Sequence, residues 1–347
     1  MKSFLSEILS MLYAISKINF LRFIRLYDRK SKNIIWIHFD LNRIKRPDIG
    51  FIYDICFILY FLENKKNFRI VNTKNIGRIH DSIILINLSR SFNTSNYDDW
   101  GGYLHRMIGL LENQNNVVSP SYHESEFWEN KIFMYEQFSR KNINYPVTKL
   151  LSEYRTILNE MKFPLITKIP HGAGSMGIEE IVDKEQLQKV YEESTNPNKI
   201  IIQERINMKM DARVVILGFE YFDHYFRVNQ SDKWHPTSTS KGSKLEYYDL
   251  TDEVKHTLIR ISKELNLRCA AYDVCWENND FINGKPLILE VSPAYLPNPR
   301  YTGNLSYKVW KKKIFNKNPY WKANVDNLIW HRKKLASVYI NSKNDKI

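Results

Sequence analysis

The sequence predicts a globular α/β (α+β) protein that begins with a small parallel α/β lobe. Short apolar runs alternate with longer helical patterns over residues 33–120. A lysine-bearing strand pattern runs into a glycine-rich loop at 164–177, and carboxylates interrupt apolar strand patterns at 269–275 and 286–291. The composition, 43% hydrophobic and 14% aromatic, excludes a disordered chain, and 347 residues suffice for two or three packed lobes.

The first 120 residues have the alternation of strands and helices that builds parallel sheets. The patterns predict strands at 34–39, 69–71 and 83–88, and helices at 51–64 and 99–113. No glycine-rich dinucleotide-binding motif follows the first strand, where His38-Phe39-Asp40-Leu41 stands. The lobe is therefore not predicted to bind a dinucleotide cofactor.

The rest of the chain reads as a mixture of strands and helices without an internal repeat. A helix is predicted within 130–150, ending before Tyr145-Pro146, because a residue that precedes proline disfavours the helical conformation. The patterns then predict helices at 152–162, 184–193 and 251–265, strands at 164–169, 178–182, 200–205, 269–275 and 286–291, a β-rich stretch at 211–230 and a polar loop at 231–244.

The formal net charge of +13 is concentrated at the two ends of the chain. Residues 1–32 hold seven Lys and Arg against two acids, and residues 300–347 hold twelve against two, so the middle is slightly negative. A nucleic-acid enzyme more often places its positive charge around a groove, so nucleic acid is not the expected partner. An anionic membrane surface or an acidic glycan remains open as the partner of the basic ends.

The N-terminal segment has apolar residues at helical spacing but no run long enough to span a membrane and no cleavage signal. Two interpretations of residues 1–25 stay open: a helix docked on the protein body, or a basic amphipathic helix on a membrane surface. Cys56, Cys269 and Cys275 are odd in number and have no metal-like spacing, and Cys269 and Cys275 are predicted to be buried thiols, so a reducing, cytoplasmic location is favoured. Peripheral attachment at the inner face of the membrane stays open.

Lys168 on a strand, followed by Gly172, Gly174 and Gly177, is typical of an anion site. The glycines let the backbone curl and point N–H groups at a phosphate, to which the lysine adds a point charge. An ordinary hairpin turn is the alternative.

Farther along, an apolar strand ends in Gln203-Glu204-Arg205-Ile206, and Asp211 follows. The free backbone edge of such a strand suits a planar base, and Asp211 could reach ribose hydroxyls; a strand running into a charged turn is the alternative. Arg227 lies among aromatic residues, where it is either a stacked side chain or one that stabilises charge on a transferred phosphoryl group.

Asp273 and Glu290 are carboxylates within two apolar strand patterns. Burying them is costly unless they are paired or bind a metal, and Mg²⁺ prefers carboxylate oxygens together with phosphate. Positions facing the surface are the alternative; the flanking apolar residues favour the metal.

These motifs, in this order, resemble the ATP-grasp superfamily, nearest to its glutathione-synthetase-like carboxylate–amine ligase branch, over residues 125–300. The resemblance implies two α+β lobes that clasp ATP between them, after the N-terminal lobe. It also implies the nucleotide-binding residues Lys131, Lys168, Gly172, Gly174, Ser175, Met176, Gly177, Gln203, Glu204, Arg205, Ile206 and Asp211. Arg227 and Lys168 match catalytic residues, and Asp273, Glu290 and Ser292 match the metal ligands.

Ser292 departs from the family pattern, which usually has Asn there, so the resemblance implies one or two Mg²⁺, with Mn²⁺ as a substitute. The implied domains are a basic amphipathic helical segment, an α/β lobe, a small ATP-grasp lobe with the phosphate-covering loop, a large lobe with the metal and catalytic residues, and a basic aromatic C-terminal segment. Their bounds are 1–32, 33–125, 126–205, 206–300 and 301–347.

The implied function is an ADP-forming ligase that activates a carboxylate as an acyl phosphate and joins it to an amine. The segment 293–300 resembles a branch associated with surface polysaccharides, which suggests an acidic saccharide as the carboxylate. Two alternatives stay open: an ATP-grasp kinase acting on a sugar or other small acceptor, and a non-enzymatic nucleic-acid- or membrane-binding protein on a degenerate ATP-grasp fold.

Overall fold

The computed structural model describes residues 2–37, 49–88, 97–128, 130–172, 174–175, 177–231, 234–297 and 321–341. The chain divides into two compact units. Unit 1 comprises Met1–Ser125 and Ala294–Ile347, and unit 2 comprises Glu126–Pro293. The described part of the C-terminal segment therefore belongs to unit 1, together with the N-terminal α/β lobe.

The helices and strands are numbered along the chain. The helices are α1 (Lys2–Ser16), α2 (Phe20–Leu26), α3 (Ile49–Glu63), α4 (Thr73–Ile76), α5 (Tyr97–Asn113), α6 (Tyr122–Glu126), α7 (Lys131–Arg140), α8 (Tyr154–Glu160), α9 (Lys184–Glu193), α10 (Asp252–Glu264) and α11 (Trp321–Asn341). The strands are β1 (Asn33–Ile37), β2 (Arg69–Asn72), β3 (Ile83–Ile86), β4 (Val117–Ser119), β5 (Thr148–Leu150), β6 (Leu165–Lys168), β7 (Glu179–Ile181), β8 (Ile201–Glu204), β9 (Met210–Leu217), β10 (Tyr221–Val228), β11 (Lys244–Glu246), β12 (Cys269–Cys275) and β13 (Leu287–Ser292).

Unit 1 contains a four-stranded parallel sheet in the order β2-β1-β3-β4. Its two central strands are nearly all apolar, and the middle residues of β1 and all of β3 are buried. Continuous apolar strands are typical of parallel sheets that are covered on both faces. The predicted small parallel α/β lobe is confirmed.

Every residue of helix α3 from Ile52 to Leu62 is apolar except Asp54, and all of them are buried. A helix without an exposed polar face is stable only when other elements cover it on every side. Here α1, α2, α11 and β1 all pack against α3. One core joins the three longest of these helices: Ala14, Ile52, Tyr53, Ile55, Cys56, Leu59, Val325, Leu328 and Ile329.

The N-terminal helix α1 docks on unit 1. Ala14 is completely buried, and the Tyr13 hydroxyl donates a 3.0 Å hydrogen bond to Asp326 on α11. Lys17 forms a 2.8 Å ion pair with the same carboxylate. Of the two interpretations open for residues 1–25, the structure shows the docked helix for α1. Among the described helices, none has both the length and the apolar character needed to cross a membrane.

Unit 2 begins with a four-stranded antiparallel sheet in the order β5-β8-β6-β7. Helices α8 and α9 contribute Ile157 and Leu187 to its core, where they meet Leu165 and Ile202 from the two central strands. This sheet carries Lys168 at the end of β6, directly before the glycine-rich loop.

The second sheet of unit 2 has five antiparallel strands in the order β11-β10-β9-β12-β13. Side chains alternate between its faces, as in any strand. One set packs with α7 and α10 in the largest core of the unit: Ala212, Val214, Ile216, Phe226, Tyr272, Val274, Ile288 and Val291. The other face carries the charged residues that form the candidate site.

Several elements differ from the sequence prediction, which contains no counterpart of helices α4 and α6 or of strands β4, β5 and β11. The helix expected within 130–150 ends at Arg140, because Asn142 adopts a left-handed conformation with φ of 51° and the chain after Pro146 joins the sheet as β5. The 21-residue helix α11 was not predicted. The predictions for 298–320 and 342–347 lie outside the described residues.

Candidate functional site

The candidate site is built on the charged face of the five-stranded sheet. Asp273 on β12 lies directly opposite Arg213 on β9 on one side and Glu290 on β13 on the other. Asp211, two residues before Arg213, lies opposite Arg227 on β10. Directly opposed residues in a sheet point to the same face, so the pairing of the strands gathers all five charges in one place.

The charges form a connected network of ion pairs. Asp273 accepts two hydrogen bonds from Arg213, of 2.7 and 2.8 Å, and pairs with Arg227 at 2.9 Å. Arg227 also binds Asp211 with two donors, one of them Nε at 2.9 Å. Two-pronged guanidinium–carboxylate pairs fix the orientation of both partners. Arg227 therefore bridges the two aspartates.

The two aspartates differ in electrostatic environment. Burial raises the pKa of Asp211 above its ordinary value, and the attraction of Arg227 does not fully offset that effect. Burial also raises the pKa of Asp273, but Arg213 and Arg227 together outweigh it and hold that pKa below its ordinary range. Asp273 therefore stays ionised at neutral pH, as a ligand for a cation must.

Arg213 has no role in the sequence prediction, although the structure places it at the centre of the site. Its signal is its spacing: Arg213 follows Asp211 by two residues, which puts both on one face of a strand. The strand that faces it, β12, lies 60 residues away along the chain, so the partnership with Asp273 is not visible in the local sequence.

Glu290 lies beside Asp273 at a bulge between β12 and β13. Asp273 pairs with Glu290 and the next residue, Val274, pairs with Ile288, so Leu289 is an extra residue on β13. The bulge keeps Ile288 and Val291 in the core while Glu290 stays on the charged face, one third exposed. Bulges commonly redirect a side chain beside an active site.

Lys131, the first residue of α7, approaches Glu290 with 3.6 Å between Nζ and Oε1. Its ammonium group also donates a 2.6 Å hydrogen bond to the carbonyl of Gly172 in the glycine-rich loop. The Lys131 backbone N–H donates to the carbonyl of Pro170, which opens that loop. One lysine thus connects the loop to the carboxylate side of the site.

Lys168 is buried and donates a 3.1 Å hydrogen bond to the hydroxyl of Tyr135 on α7. The same hydroxyl accepts a 3.0 Å hydrogen bond from Gln203 and donates one of 3.1 Å to the carbonyl of Leu289, the bulge residue. Burial lowers the pKa of Lys168 to about 8, and attraction to Glu290 opposes that shift. Tyr135, absent from the sequence prediction, thus links both lobes of unit 2.

The loop after β6 has the backbone geometry that its glycines suggest. Gly174, Ser175 and Gly177 all have positive φ, between 62° and 67°. At Gly177 an added Cβ would lie 2.9 Å from Cγ2 of Ile169, so the backbone also passes too close to a neighbour for any larger residue. Met176, predicted to contact the nucleotide, lies outside the described residues.

The strand end predicted to receive the adenine base is part of β8. Gln203 is buried and bonds Tyr135 and Thr148 through its amide nitrogen. The Glu204 side chain accepts a hydrogen bond from the backbone of Lys162, and Arg205 pairs with Glu180 at 2.5 Å. Ile206 lies two residues after the end of β8, directly after Arg205. Base binding by this segment remains a prediction.

Asp211 was predicted to bind ribose, but its carboxylate is 1% exposed and is held by Arg227. The arrangement explains how a carboxylate survives in a buried strand: an ion pair with two-pronged geometry compensates its loss of hydration. In the structure Asp211 orients Arg227, and a direct contact with ribose remains a prediction.

The donors available for Mg²⁺ are Asp273 and Glu290, directly opposed across the bulge, and Ser292 two residues farther along β13. No group of three or more His, Cys, Asp or Glu side chains in the described ranges could hold a metal by itself. Two carboxylates fit a Mg²⁺ that completes its coordination with phosphate and water, which is how this ion binds at nucleotide sites. Both oxygens of Asp273 meet guanidinium groups, so a metal would compete with Arg213 and Arg227.

An antiparallel lobe with a glycine loop, followed by a sheet whose face holds paired carboxylates, is the arrangement expected from the resemblance to the ATP-grasp superfamily. Residues 129–293 match the family model described as the RimK-like ATP-grasp domain. The predicted superfamily is confirmed. A search of curated proteins found no match.

Solved structures of ATP-grasp proteins share the fold. A RimK domain ATP-grasp protein from Sphaerobacter thermophilus DSM 20745 aligns with a TM-score of 0.52 and 10% identity, over 89% of this chain and 99% of that one. The D-alanine–D-alanine ligase from Bacillus anthracis aligns at 0.51 and 14% identity, over 91% and 99%. The ATP-grasp ligase PsnB, complexed with minimal precursor, Mg and ADP, aligns at 0.51 and 12% identity, over 88% and 100%.

At these identities the similarity shows the fold, and it confirms the predicted fold class. ATP and Mg²⁺, the predicted cofactors, are those of ATP-grasp enzymes, and the PsnB complex contains Mg and ADP. The roles of the individual site residues remain predictions.

Proposed function

We propose that this protein is an ATP-dependent ligase that activates a carboxylate as an acyl phosphate and joins it to an amine, releasing ADP and phosphate. The observation that carries the proposal is the junction of Glu290 and Asp273 with Lys131 and Lys168 beside the glycine-rich loop. This arrangement combines cations for phosphate oxygens with carboxylates for Mg²⁺. Several structural neighbours are ligases, which supports a ligase over other ATP-using classes.

In this mechanism Lys131 and Lys168 hold phosphate oxygens of ATP, and the loop from Pro170 to Gly177 covers them. Asp273 and Glu290 would hold Mg²⁺, which neutralises charge on the phosphates when bound. The site's own residues mainly position the reactants and stabilise charge, as in other phosphoryl transfers.

The chemistry takes two steps. An oxygen of the substrate carboxylate attacks the γ-phosphorus of ATP, the bond to the β-phosphate oxygen breaks and ADP leaves. The amine nitrogen then attacks the acyl carbon, the carbon–oxygen bond to phosphate breaks, and the amine proton is lost as the amide forms. Arg227 and Arg213 lie on the charged face, where their guanidinium groups can stabilise the negative charge that develops in both steps.

Replacing Glu290 tests the proposal most directly. The Glu290→Gln variant keeps the size of the side chain but removes a metal-binding charge, so ADP release should fall by about a thousandfold while the thermal midpoint stays close to that of wild type. ADP release is measured with Mg²⁺, ATP and mixed acids and amines. Glu160→Gln, an exposed carboxylate of the same unit, is the matched control and should retain full activity. Normal turnover by Glu290→Gln would contradict the metal role.

We further propose that the carboxylate belongs to an acidic saccharide and that the amine is an amino acid or another small amine. Support comes from the excess of positive charge in residues 1–32 and 300–347, which suits an anionic glycan or a lipid-linked substrate. A panel of uronic acids and amines, assayed for ADP release and for an amide product by mass spectrometry, tests this substrate class. Turnover with amino-acid or peptide carboxylates alone would contradict it, and phosphate on a sugar without an amine requirement would instead indicate a kinase.

A further inference from the structure

Helix α2 exposes an apolar face that no described element covers. Phe20, Leu21 and Ile24 are 70, 82 and 62% exposed, three of the four most exposed large apolar side chains in the described part of the chain. Their spacing of three and four residues places them on one side of the helix. Exposed apolar residues that occur singly are ordinary, whereas a contiguous group marks an interaction site. These three residues are called the α2 face.

The opposite side of α2 is fixed to unit 1. The ring of Phe23 packs edge-on against the buried ring of Phe68, with centroids 5.5 Å apart, and Tyr27 contacts the same ring. Asn19 caps the helix by accepting a hydrogen bond from the N–H of Arg22, and the Arg22 guanidinium donates to the carbonyl of Leu62 at the end of α3. The α2 face is therefore held outward on an anchored helix.

The surroundings of the α2 face are basic. Residues 17–32 contain six Lys and Arg and one acid, Asp28, whose side chain accepts a hydrogen bond from the backbone of Lys30. Arg25, Arg29 and Lys30 are exposed. These three residues are called the basic group. A short helix with aromatic and aliphatic side chains on one face and arginine and lysine beside it is typical of helices that lie in the interface of a membrane.

We propose that the α2 face and the basic group dock this protein on a bilayer that contains anionic lipids. The apolar side chains enter the boundary between headgroups and acyl chains, while the basic side chains stay at the level of the headgroup phosphates. A second copy of the chain is a poorer occupant, because self-association through this face would bring the two basic groups together. The seven residues of α2 are too few to span the bilayer, so the helix lies along its surface.

This inference does not depend on the ligase chemistry, since none of its residues lies in the candidate site. The full chain is incubated with vesicles of phosphatidylcholine alone and with vesicles that also contain phosphatidylglycerol, and the bound fraction is measured by flotation. Wild type should bind the anionic vesicles about tenfold more tightly than the neutral ones, and high salt should weaken that binding.

Two variants separate the apolar and the electrostatic contributions. Leu21→Ser/Ile24→Ser should lower affinity for anionic vesicles about tenfold, and Arg25→Gln/Arg29→Gln/Lys30→Gln should remove most of the preference for anionic lipid. Ile282→Ser is the matched control, because Ile282 is 65% exposed but lies in unit 2, and it should bind like wild type. Circular dichroism checks that each variant is folded.

The proposal would be overturned by wild type that leaves both kinds of vesicle unbound, or by an α2-face variant that binds as tightly as wild type. A concentration-dependent dimer that the Leu21→Ser/Ile24→Ser variant abolishes, without vesicle binding, would assign this face to self-association instead.

Discussion

At the scale of single residues, the ion pairs of Arg227 offset the energetic cost of burying charges on this face of the five-stranded sheet. Asp211 and Asp273 are both buried, and each is acceptable only because guanidinium groups replace the water it has lost. Arg227 is the shared member, since it bridges both carboxylates. Its proposed role in catalysis therefore rests on a side chain that also stabilises the fold.

Replacing Arg227 should for that reason destabilise the protein. In Arg227→Gln, Asp211 keeps its burial but loses its partner, and we expect the free energy of unfolding to fall by about 3 to 5 kcal/mol, measured by urea denaturation. Adding Asp211→Asn removes the buried charge that has lost its partner, and should restore much of the free energy of unfolding. The exposed pair of Arg260 and Glu264 provides the control, because Arg260→Gln should cost less than about 1 kcal/mol. An unchanged midpoint in Arg227→Gln would show that the pair contributes no net stability.

Lys168 should make nucleotide binding depend on pH. Burial lowers its pKa to about 8, so above that pH the free protein has lost the proton, whereas a bound phosphate favours the charged form. Binding must then take up a proton, and the dissociation constant for an ATP analogue with Mg²⁺ should rise by as much as about tenfold per pH unit above pH 8. Isothermal titration calorimetry measures this dependence. Lys168→Arg keeps its charge at these pH values, and its affinity should be nearly independent of pH; an equal slope in both proteins would remove Lys168 from the phosphate site.

Through Lys168, the pH dependence of folding stability has the opposite sign to the pH dependence of nucleotide affinity. The pKa of Lys168 is lower in the folded protein than the ordinary 10.5 of an unfolded lysine, so the unfolded chain binds more protons between about pH 8 and 10.5. Through Lys168, the stability of the nucleotide-free protein therefore improves as pH rises across this window. Below pH 8 the cost of holding a buried charge is present in full.

Some of these residues could be predicted from the sequence, and the others could not, for a physical reason. Asp273 and Glu290 stand out because each interrupts an apolar strand pattern, where an uncompensated charge is costly. Lys168 stands out because a glycine-rich loop follows it. Arg213 and Tyr135 do not stand out, because their importance comes from partners far away in the chain: Asp273 for Arg213, and Lys168 with Gln203 for Tyr135.

At the scale of elements, the glycine-rich loop combines positive φ with a close approach of its backbone to a neighbouring side chain. Gly174 and Gly177 have nearly the same positive φ, but only Gly177 lies against a neighbour, Ile169. A larger residue would therefore cause conformational strain at either glycine, but a close contact only at Gly177. Both effects follow from the absence of a Cβ.

This difference predicts unequal effects of alanine. Gly174→Ala should raise the KM for ATP modestly, by about fivefold, through the strain of positive φ alone. Gly177→Ala also forces Ile169 aside and should raise KM by about tenfold or more. Steady-state kinetics on both variants check the order, and Gly177→Ala/Ile169→Ala should return toward the behaviour of Gly174→Ala. The reverse order would mean that contact with Ile169 does not set the loop geometry.

Two local features of the elements, a bulge in β13 and the early end of α7, were not predicted from the sequence. A β-rich stretch over β9 and β10 and the strands β12 and β13 were expected from the sequence. The bulge at Leu289 was not expected, because a bulge depends on how two strands pair and leaves no mark on either strand alone. Helix α7 ends earlier than expected because Asn142 and Asn144 stand where the chain turns toward β5 and β13: Asn142 has positive φ and Asn144 binds the carbonyl of Pro286.

At the scale of the whole molecule, the chain closes unit 1 with residues from its two ends. Helix α11 packs on α1 and α3, and Arg332 on α11 donates to the carbonyl of Tyr295 while lying over the rings of Tyr53 and Tyr295. A signal for α11 was present in the sequence: Val325, Leu328, Ile329, Leu335, Ala336, Tyr339 and Ile340 have helical spacing, and all are buried.

Unit 1 should therefore be sensitive to changes in α11 that leave the candidate site intact. Leu328 is 2% exposed in the core shared by α1, α3 and α11, so Leu328→Ala should lower the free energy of unfolding of unit 1 by about 2 to 5 kcal/mol. Every residue assigned to the nucleotide and metal lies in unit 2, so at a temperature where the variant is folded its affinity for an ATP analogue should equal that of wild type. Trp330→Ala, on the same helix but half exposed, should cost much less stability. Urea denaturation and calorimetric titration give the two quantities separately, and a loss of nucleotide affinity in folded Leu328→Ala would show that unit 1 takes part in binding.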